Sequence, residues 1–233
     1  TLPAKRRQVV YLGRDEQNNP SGFRAAIKSA KFDKHMLFET MLAEAASRKR
    51  DYVLERVMLA LHSGQKVVVF TGRRKDCDIL GARIARAVKG AELNVPLFCA
   101  HGGTTSEDRD VIRHDYMTVE GAACLVGTGD AWGESVNLQD TDLALFVMLP
   151  WTPRSIAQWE GRFSRLGQKR PVLISYIIAE GTVDEHVADV LLDKLPAVGK
   201  IAEDTEINEV EAAFEGDKAG LLERVSEKMG NLA

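Results

Sequence analysis

The feature that most constrains this fold is an alternation of short apolar runs with longer amphipathic segments. Five runs rich in β-branched residues have the length of buried strands, and a sixth, at Gln8 to Leu12, is weaker. Helical spacing of apolar residues fills the segments between them, so the sequence predicts an α/β fold with a mainly parallel sheet. The five strong runs are Val67 to Phe70, Leu97 to Ala100, Ala122 to Val126, Leu143 to Leu149 and Val172 to Ile178.

Four helices are predicted from the same periodicity. The longest is either continuous or broken at its basic cluster, Ser47 to Arg50, and Gly64 is expected to end it. Ser106 is expected to cap another helix, because two carboxylates that suit a first helical turn follow it. The predicted helices are Lys34 to His62, Asp76 to Val88, Ser106 to Tyr116 and Val183 to Leu195.

Charge is unevenly distributed along the chain. The total of 31 Lys and Arg against 34 Asp and Glu, a net charge of -3, excludes a uniformly basic nucleic-acid coat. Up to residue 180 there are 26 basic and 21 acidic residues, and after it 5 and 13, so the body is expected to face an anion. We predict a helical N-terminal extension at 1–33, an α/β domain at 34–195, and an acidic helical extension at 196–233.

Several protein classes are disfavoured by the sequence. The longest nearly apolar run, Leu143 to Trp151, is far below the roughly 18 residues of a membrane span, so no membrane is expected as a partner. Three cysteines without C-x-x-C spacing argue against disulfides and against zinc, and no metal site is predicted; an intracellular setting is favoured. Since the chain starts at Thr1 without Met, it is expected to be a piece of a longer protein.

Glycine-rich and polar segments follow four of the predicted strands. Ligands bind beyond the carboxyl ends of the strands in open parallel sheets. Glycine lets backbone N–H groups approach a phosphate, hydroxyls donate to it, and Arg or Lys neutralises it. Ordinary loops are the alternative for any single segment, but four together favour an anion site. The segments are Thr71 to Lys75, His101 to Thr105, Gly127 to Gly133 and Pro150 to Arg154.

The stretch from Gly127 to Gly133 also raises a second hypothesis, a dinucleotide or S-adenosylmethionine site of Rossmann type. Only residues 134–141 separate its last glycine from the residue that leads into the next strand. A crossover helix does not fit into so short a segment, so the spacing argues against this hypothesis.

The segment from Gln158 to Gln168 contains a pair of arginines. Arg162 and Arg165 are three residues apart, so on a helix they project from one face and can hold one anion together. Two guanidinium groups directed at a transferring phosphoryl group form an arginine-finger arrangement. The alternative is a solvated helix face.

This segment, QWEGRFSRLGQ, resembles motif VI of superfamily-two helicases, and its end is similar to the SWI/SNF-related DNA translocases. The resemblance covers roughly residues 50–195 in the family's order. It implies the second RecA-like lobe, a three-layer domain, of a motor that holds ATP between two lobes. The other matching segments are Lys66 to Thr71 (motif IV), His101 to Thr105 with Arg109, Thr128 to Leu138 (motif V), Trp151 to Pro153 and Gly181 to Glu185.

The resemblance also implies roles for individual residues. Arg162 and Arg165 would be the catalytic arginine fingers. Contacts to DNA would be made to its backbone and would be independent of sequence. The implied ATP-binding residues are Gln158, Gly129, Asp130 and Gly133, and the implied DNA-binding residues are Thr71, Arg73, His101, Gly102, Thr128 and Trp151.

Three aromatic residues and one histidine have a structural alternative. Trp151, which lies between two prolines in the sequence, either contacts DNA or packs over the hydrophobic core. Trp159 and Phe163 are expected to pack in the core. His101 is expected to be a hydrogen-bonding loop residue and not an acid or base, because no nucleophile accompanies it.

The chain departs from the family pattern in motif V and lacks other motifs. Asp130 stands where the family usually has a cation, Ser135 where it has glycine, and Gly161 where close members often have an acid. Neither G-x-x-x-x-G-K-[ST] nor Asp-Glu-x-His occurs. ATP with Mg²⁺ is therefore expected to be bound mainly by a first lobe, in the same or another chain, and this chain alone is expected to be inactive. The alternative is a catalytically inactive DNA- or protein-binding module of the same fold.

Overall fold

The structure is a computed structural model, and it describes residues 5–13, 34–129, 131–132, 137–150, 153–163, 168, 170–185 and 187–188. The predicted site residues Asp130, Gly133, Trp151 and Arg165 lie outside the described residues, as does the predicted acidic extension at 196–233.

Six parallel strands form one sheet in the order β1-β6-β5-β2-β4-β3. All five strong strand predictions are confirmed. β5 ends at Phe146, three residues earlier than predicted, although the apolar run continues to Leu149. The strands are β1 (Lys5–Leu12), β2 (Lys66–Thr71), β3 (Leu97–Ala100), β4 (Ala123–Thr128), β5 (Leu143–Phe146) and β6 (Val172–Ala179).

The N-terminal extension was expected to be helical, and this is wrong for Lys5–Leu12. These residues form β1, which pairs with β6 from Lys5 opposite Val172 to Leu12 opposite Ala179. A run with Val9, Val10 and Tyr11 favours extended backbone, and the edge of β6 supplies its hydrogen-bonding partners. The weak strand prediction at Gln8 to Leu12 is thereby confirmed, and β1 belongs to the sheet of the α/β domain.

Three of the predicted helices have bounds close to those expected, and a further helix, at Pro153–Glu160, was not predicted. The first is continuous through Ser47 to Arg50, and Gly64, with a φ of 75°, follows its end as expected. Residues 183–185 and 187–188 are helical as well, where the fourth predicted helix begins. The helices are α1 (Lys34–His62), α2 (Arg74–Gly90), α3 (Ser106–Thr118) and α4 (Pro153–Glu160).

The prediction that Ser106 caps α3 is wrong. Thr105 is the N-cap residue: its backbone is extended, and its hydroxyl oxygen accepts a hydrogen bond from the Asp108 N–H at 3.1 Å. Ser106 is already the first helical residue. The two carboxylates after it still lie in the first turn, where the helix dipole favours negative charge.

Both faces of the sheet are covered, which explains why β2, β4 and β5 are buried at every position. On one face, Val67 and Leu145 pack with Val57 of α1 and Leu80 of α2. The other face has an aromatic core contributed by the strands, α4 and the turn that follows it. The predicted three-layer, RecA-like arrangement is confirmed. None of the described helices has the length and apolar character needed to cross a membrane. The aromatic core consists of Phe70, Phe146, Trp159, Phe163 and Tyr176.

Candidate functional site

The carboxyl ends of four neighbouring strands lie side by side at one edge of the sheet; these strands are β5, β2, β4 and β3. They are the strand ends after which the sequence predicted an anion site. The Gly129 N–H donates to the carbonyl of Thr71 at 3.2 Å, and the Thr71 hydroxyl donates to the carbonyl of Gly127 at 3.3 Å. On the other side of β2, the Val147 N–H donates to the carbonyl of Phe70 at 2.9 Å. The segments after β2, β4 and β5 are thus joined by direct hydrogen bonds.

The segment after β4, here called the packed tip (residues 127–129 and 131–132), is enclosed by aromatic side chains. A Cβ atom on Gly129 would overlap the ring of Trp159, and one on Gly127 would overlap the indole of Trp132. Thr128 is buried. The glycines of this tip let aromatic rings approach the backbone, so in the described part they serve packing between motif V and motif VI.

The segment after β3, here called the open tip (His101–Thr105), has different surroundings. A Cβ atom on Gly102 would have no atom within 4 Å. The Gly103 N–H donates to Nδ1 of His101 at 3.1 Å, so Nε2 carries the ring proton and faces the Asp78 carboxylate at 3.4 Å. These contacts are those of a hydrogen-bonding loop residue, as expected for His101, and the backbone around Gly102 is exposed.

The basic segment after β2 contains one arginine that is hydrogen-bonded within the protein and two cations that are exposed. Nε of Arg73 donates to Asp76 at 2.7 Å, and Nη1 donates to the carbonyl of Glu39 at 2.8 Å, which joins the start of α2 to α1. Arg74 and Lys75 are exposed. Of these three residues only Arg73 was predicted to bind DNA, yet Arg74 and Lys75 are the more accessible cations. The run of three consecutive basic residues is the sequence signal that points to all of them.

Arg74 also belongs to the surroundings of the open tip. A Cβ atom on Gly103 would lie 2.9 Å from Nη1 of Arg74. The start of α2 therefore places an exposed guanidinium next to the exposed backbone of the open tip. This combination of a cation with accessible N–H groups suits a phosphate.

The continuous described part of motif VI comprises the last three residues of α4 and the turn after it, residues 158–163. Gln158 is exposed, whereas Trp159 and Phe163 are buried in the aromatic core, as predicted for both. The ring of Trp159 stacks on Phe146 with centroids 5.8 Å apart and an interplanar angle of 21°. Arg162 is 3% exposed, and its carbonyl accepts a hydrogen bond from the Leu138 N–H at 3.0 Å. Motif V and motif VI are thus joined by this bond and by the contact between Gly129 and Trp159.

Glu160, the last residue of α4, is buried and surrounded by donors; we call Lys5, Arg7, Glu160 and Tyr176 the Glu160 cluster. Nε of Arg7 donates to Oε1 at 2.5 Å, Nη2 of Arg7 donates to Oε2, and the Tyr176 hydroxyl donates to Oε1 at 2.7 Å. Burial by itself would raise the pKa of Glu160, but the hydrogen bonds from Arg7 and Tyr176 and the nearby positive charges hold this pKa below its usual value. Sequence reasoning missed this cluster because Arg7 is 153 residues away along the chain.

The segment from Gly181 to Glu185 contains one member of a fully buried ion pair, Asp184. Asp184 accepts from Nζ of Lys49 at 2.6 Å and from the N–H of Ala179 at 3.0 Å, and Lys49 also donates to the carbonyl of Val147. Burial lowers the pKa of Lys49, and the charge of Asp184 opposes that shift. This pair connects α1, the end of β5 and the helix that follows β6, so the described contacts give the segment a structural role.

The predicted nucleotide site would draw on polar groups of motif VI. Gln158 and Arg162 can supply an amide and a guanidinium, but no group of three or more His, Cys, Asp or Glu side chains among the described residues is placed to hold a metal ion. A cavity of about 330 Å³ lies between α2, β3 and β4, next to Gly81 and Cys99. None of the predicted site residues lines this cavity. The chemistry is therefore expected at the carboxyl edge and not in the cavity.

A RecA-like sheet with these segments at its carboxyl edge defines a helicase-type lobe, and comparison with known proteins gives its family. The helicase conserved C-terminal domain matches residues 48–167. The chain belongs to this family, and its similarities lie in the SWI/SNF-related branch.

Two curated proteins and one solved structure illustrate these similarities. The Xenopus tropicalis SWI/SNF-related matrix-associated actin-dependent regulator of chromatin subfamily A-like protein 1 is 27% identical in an alignment of 213 positions that covers 85% of this chain and 21% of that protein. The uncharacterized ATP-dependent helicase YqhH of Bacillus subtilis is 38% identical over 72 residues, 31% of this chain and 13% of that protein. The SWI2/SNF2 ATPase core of Sulfolobus solfataricus, solved in complex with double-stranded DNA, has a TM-score of 0.60 at 18% identity and covers 91% of this chain and 47% of its own. The chain thus spans about a fifth of the Xenopus protein.

Proposed function

We propose that this chain is the second motor lobe of an ATP-dependent DNA translocase or helicase, and that Arg162 and Arg165 act as its arginine fingers. The observation that carries the proposal is the direct connection of motif V to motif VI. Gly129 packs on Trp159, and the Leu138 N–H bonds to the carbonyl of Arg162, so the described parts of the two motifs are in direct contact. Gln158, Gly129, Asp130 and Gly133 are proposed to contact the nucleotide.

ATP with Mg²⁺ would be held mainly by a first lobe, because this chain contains no phosphate-binding loop of the Walker type. The bound nucleotide supplies the phosphoryl group that is transferred to water. Arg162 would stabilise the charge that develops on that group. Since Arg162 is 3% exposed, its guanidinium has to become accessible when the first lobe docks, and this chain alone is proposed to be inactive.

DNA would bind at the same edge through its phosphates, without sequence preference. The proposed contacts are Thr71, Arg73, His101, Gly102, Thr128 and Trp151, with Arg74 and Lys75 added. Thr71 is 1% exposed and Thr128 is buried, backbone included, so a DNA contact by either of these two would require the edge to open. The Sulfolobus protein, of similar fold, was solved with double-stranded DNA, which supports the proposal. Such a motor works inside the cell, where DNA and ATP are found.

The test is Arg162→Ala in the intact protein. We expect DNA-stimulated ATP turnover to fall on the order of 10³-fold, because an arginine finger contributes on that scale, while DNA affinity stays near normal. Arg86→Ala is the matched control, since Arg86 is exposed on α2 and its loss changes the net charge equally. Near-normal turnover in Arg162→Ala would contradict the assignment.

A second candidate is a catalytically inactive DNA- or protein-binding module of the same fold. The enclosure of Arg162 favours it, as do Asp130 and Ser135 in motif V. The two candidates differ in the unmodified protein: a motor hydrolyses ATP when DNA is added, and a binding module binds DNA or a protein without turnover.

A further inference from the structure

The Glu160 cluster connects the N-terminal strand to the segment that carries the proposed arginine fingers. Glu160 ends α4 and precedes Arg162 by two residues. Its side chain is 4% exposed, and both carboxylate oxygens accept from the guanidinium of Arg7, which lies on β1. The connection therefore runs from the edge strand β1 to motif VI.

The pairing of β1 explains how Arg7 reaches α4. Arg7 lies opposite Ile174 of β6, and side chains alternate along a strand, so Lys5 and Arg7 project from one face. This is the face on which α4 and the aromatic core pack, and Tyr176 of β6 donates to Glu160 from the same side. Arg6 projects from the opposite face, is exposed, and is chemically matched to Arg7.

The Arg7 side chain is 54% exposed, but the carboxylate that it contacts is buried, so the cluster differs from an ion pair between two exposed groups. A bidentate guanidinium fixes the orientation of a carboxylate as well as its position. Because Glu160 is buried, removal of Arg7 would leave a carboxylate with Lys5, at 3.5 Å, as its remaining cation. Glu160 would then have to take up a proton or move toward water, and either change alters the last turn of α4.

We propose that Arg7 is a positioning residue for Arg162: through Glu160 it fixes the end of α4 and thereby the turn on which Arg162 is presented to the nucleotide. The inference rests on the proposed function, because it concerns the arginine finger of that site. It assigns to the N-terminal strand an indirect influence on catalysis, exerted through Glu160. Lys5 and Tyr176 support the same carboxylate from two further directions.

The first experiment measures ATP turnover of Arg7→Met in the intact protein, with Arg6→Met as the control. Displacement of a catalytic group by about 1 Å costs on the order of 10²-fold, so we expect kcat to fall between roughly 10- and 100-fold, with KM for ATP little changed. Arg6→Met should have normal kinetics. Arg7→Lys should recover part of the lost kcat, because it restores the charge without the bidentate geometry.

The second experiment separates positioning from general destabilisation by repeating Arg7→Met in an Arg162→Ala background. If Arg7 acts through Arg162, its loss causes no further decrease in kcat in that background. Glu160→Gln should lower kcat as Arg7→Met does, and the two changes together should not add.

Equal decreases of kcat in both backgrounds, or unchanged kcat in Arg7→Met, would overturn the positioning role of Arg7 and leave the proposed function intact. Normal turnover in Arg162→Ala itself would overturn the proposed function and, with it, the role of Arg7. The thermal unfolding midpoint of each variant is measured alongside, and a decrease of kcat in a variant with a normal midpoint supports positioning.

Discussion

The packed tip and the open tip are both rich in glycine and threonine, yet the structure uses them differently. In the packed tip, Gly129 has the ring of Trp159 against its backbone, and in the open tip, Gly102 has no atom within 4 Å of a would-be Cβ. Both tips follow parallel strands that are neighbours, β4 and β3, at one edge of the sheet. The amino-acid composition of a loop therefore does not predict whether an aromatic side chain of the protein or a bound ligand packs against its glycines.

The difference follows from position in the sheet. β4 lies between β2 and β3, so aromatic residues of the core reach its end. β3 is at the edge of the sheet, and α3 begins directly after its tip, with Thr105 as the cap. A central tip is filled by the core of the lobe, whereas an edge tip keeps its backbone accessible to a partner outside the lobe.

The largest effect on stability is expected from Gly129→Ala, in the packed tip. The added methyl group overlaps Trp159, which is itself packed between Phe70 and Phe146, so the ring or the backbone has to move. Overpacking of this kind costs roughly 1 to 3 kcal/mol. The free energy of unfolding, measured by urea denaturation, should fall by that amount.

Gly90→Ala is the control for this substitution. Gly90 is the last residue of α2, and a Cβ atom added to it would have no atom within 4 Å. In Gly90→Ala the free energy of unfolding should therefore stay the same or rise by up to about 1 kcal/mol. If Gly129→Ala were as stable as the unmodified chain, the packed tip would not be closed by Trp159 and the contrast between the two tips would disappear.

An intermediate effect is expected from Arg74→Ala, next to the open tip. If Arg74 neutralises one DNA phosphate, the slope of log affinity against log salt should decrease in magnitude by about 1. Arg86→Ala removes the same charge further along α2 and should leave the slope nearly unchanged. Titration of labelled DNA at several salt concentrations measures both slopes, and equal slopes for the two variants would remove Arg74 from the DNA interface.

Arg73→Ala compares an arginine that is hydrogen-bonded within the protein with its exposed neighbour, Arg74. Arg73 is engaged with Asp76 and with the carbonyl of Glu39, so its loss should affect the joint between α1 and α2 more than it affects DNA binding. The two arginines are neighbours in sequence, and successive positions at a helix start point in different directions. The sequence alone therefore shows the basic run but not which of its members is exposed.

The sequence predicted the sheet and the meeting of the tips, because both follow from short-range patterns. Buried parallel strands appear as apolar runs, and the carboxyl ends of parallel strands have to share one edge. The cap of α3 was assigned one residue too late, since Thr105 and Ser106 are both good caps and only the backbone, with φ of -63° and ψ of 162° at Thr105, decides between them.

The features that could not be predicted from the sequence are contacts between segments that are far apart along the chain. Arg7 and Glu160 are 153 residues apart, and Lys49 and Asp184 are 135 apart, so no local pattern connects them. The strand register places Arg7 beside α4. That register depends on the pairing of β1 with β6, which no local sequence pattern predicts. The burial of Arg162 likewise results from packing and has no counterpart in the motif.

The smallest effect on stability, and the most specific one on binding, is expected from Gly102→Ala in the open tip. The methyl group enters open space, and the backbone there is not in the left-handed region, so the free energy of unfolding should change by less than about 0.5 kcal/mol. If a DNA phosphate approaches the Gly102 backbone, the same methyl group occupies its place, and DNA affinity should fall several-fold at constant salt. Gly90→Ala, equally open but at the far end of α2, should bind DNA normally. Unchanged affinity of Gly102→Ala would show that DNA does not come close to this backbone, and the accessible glycine would then have no ligand to explain it.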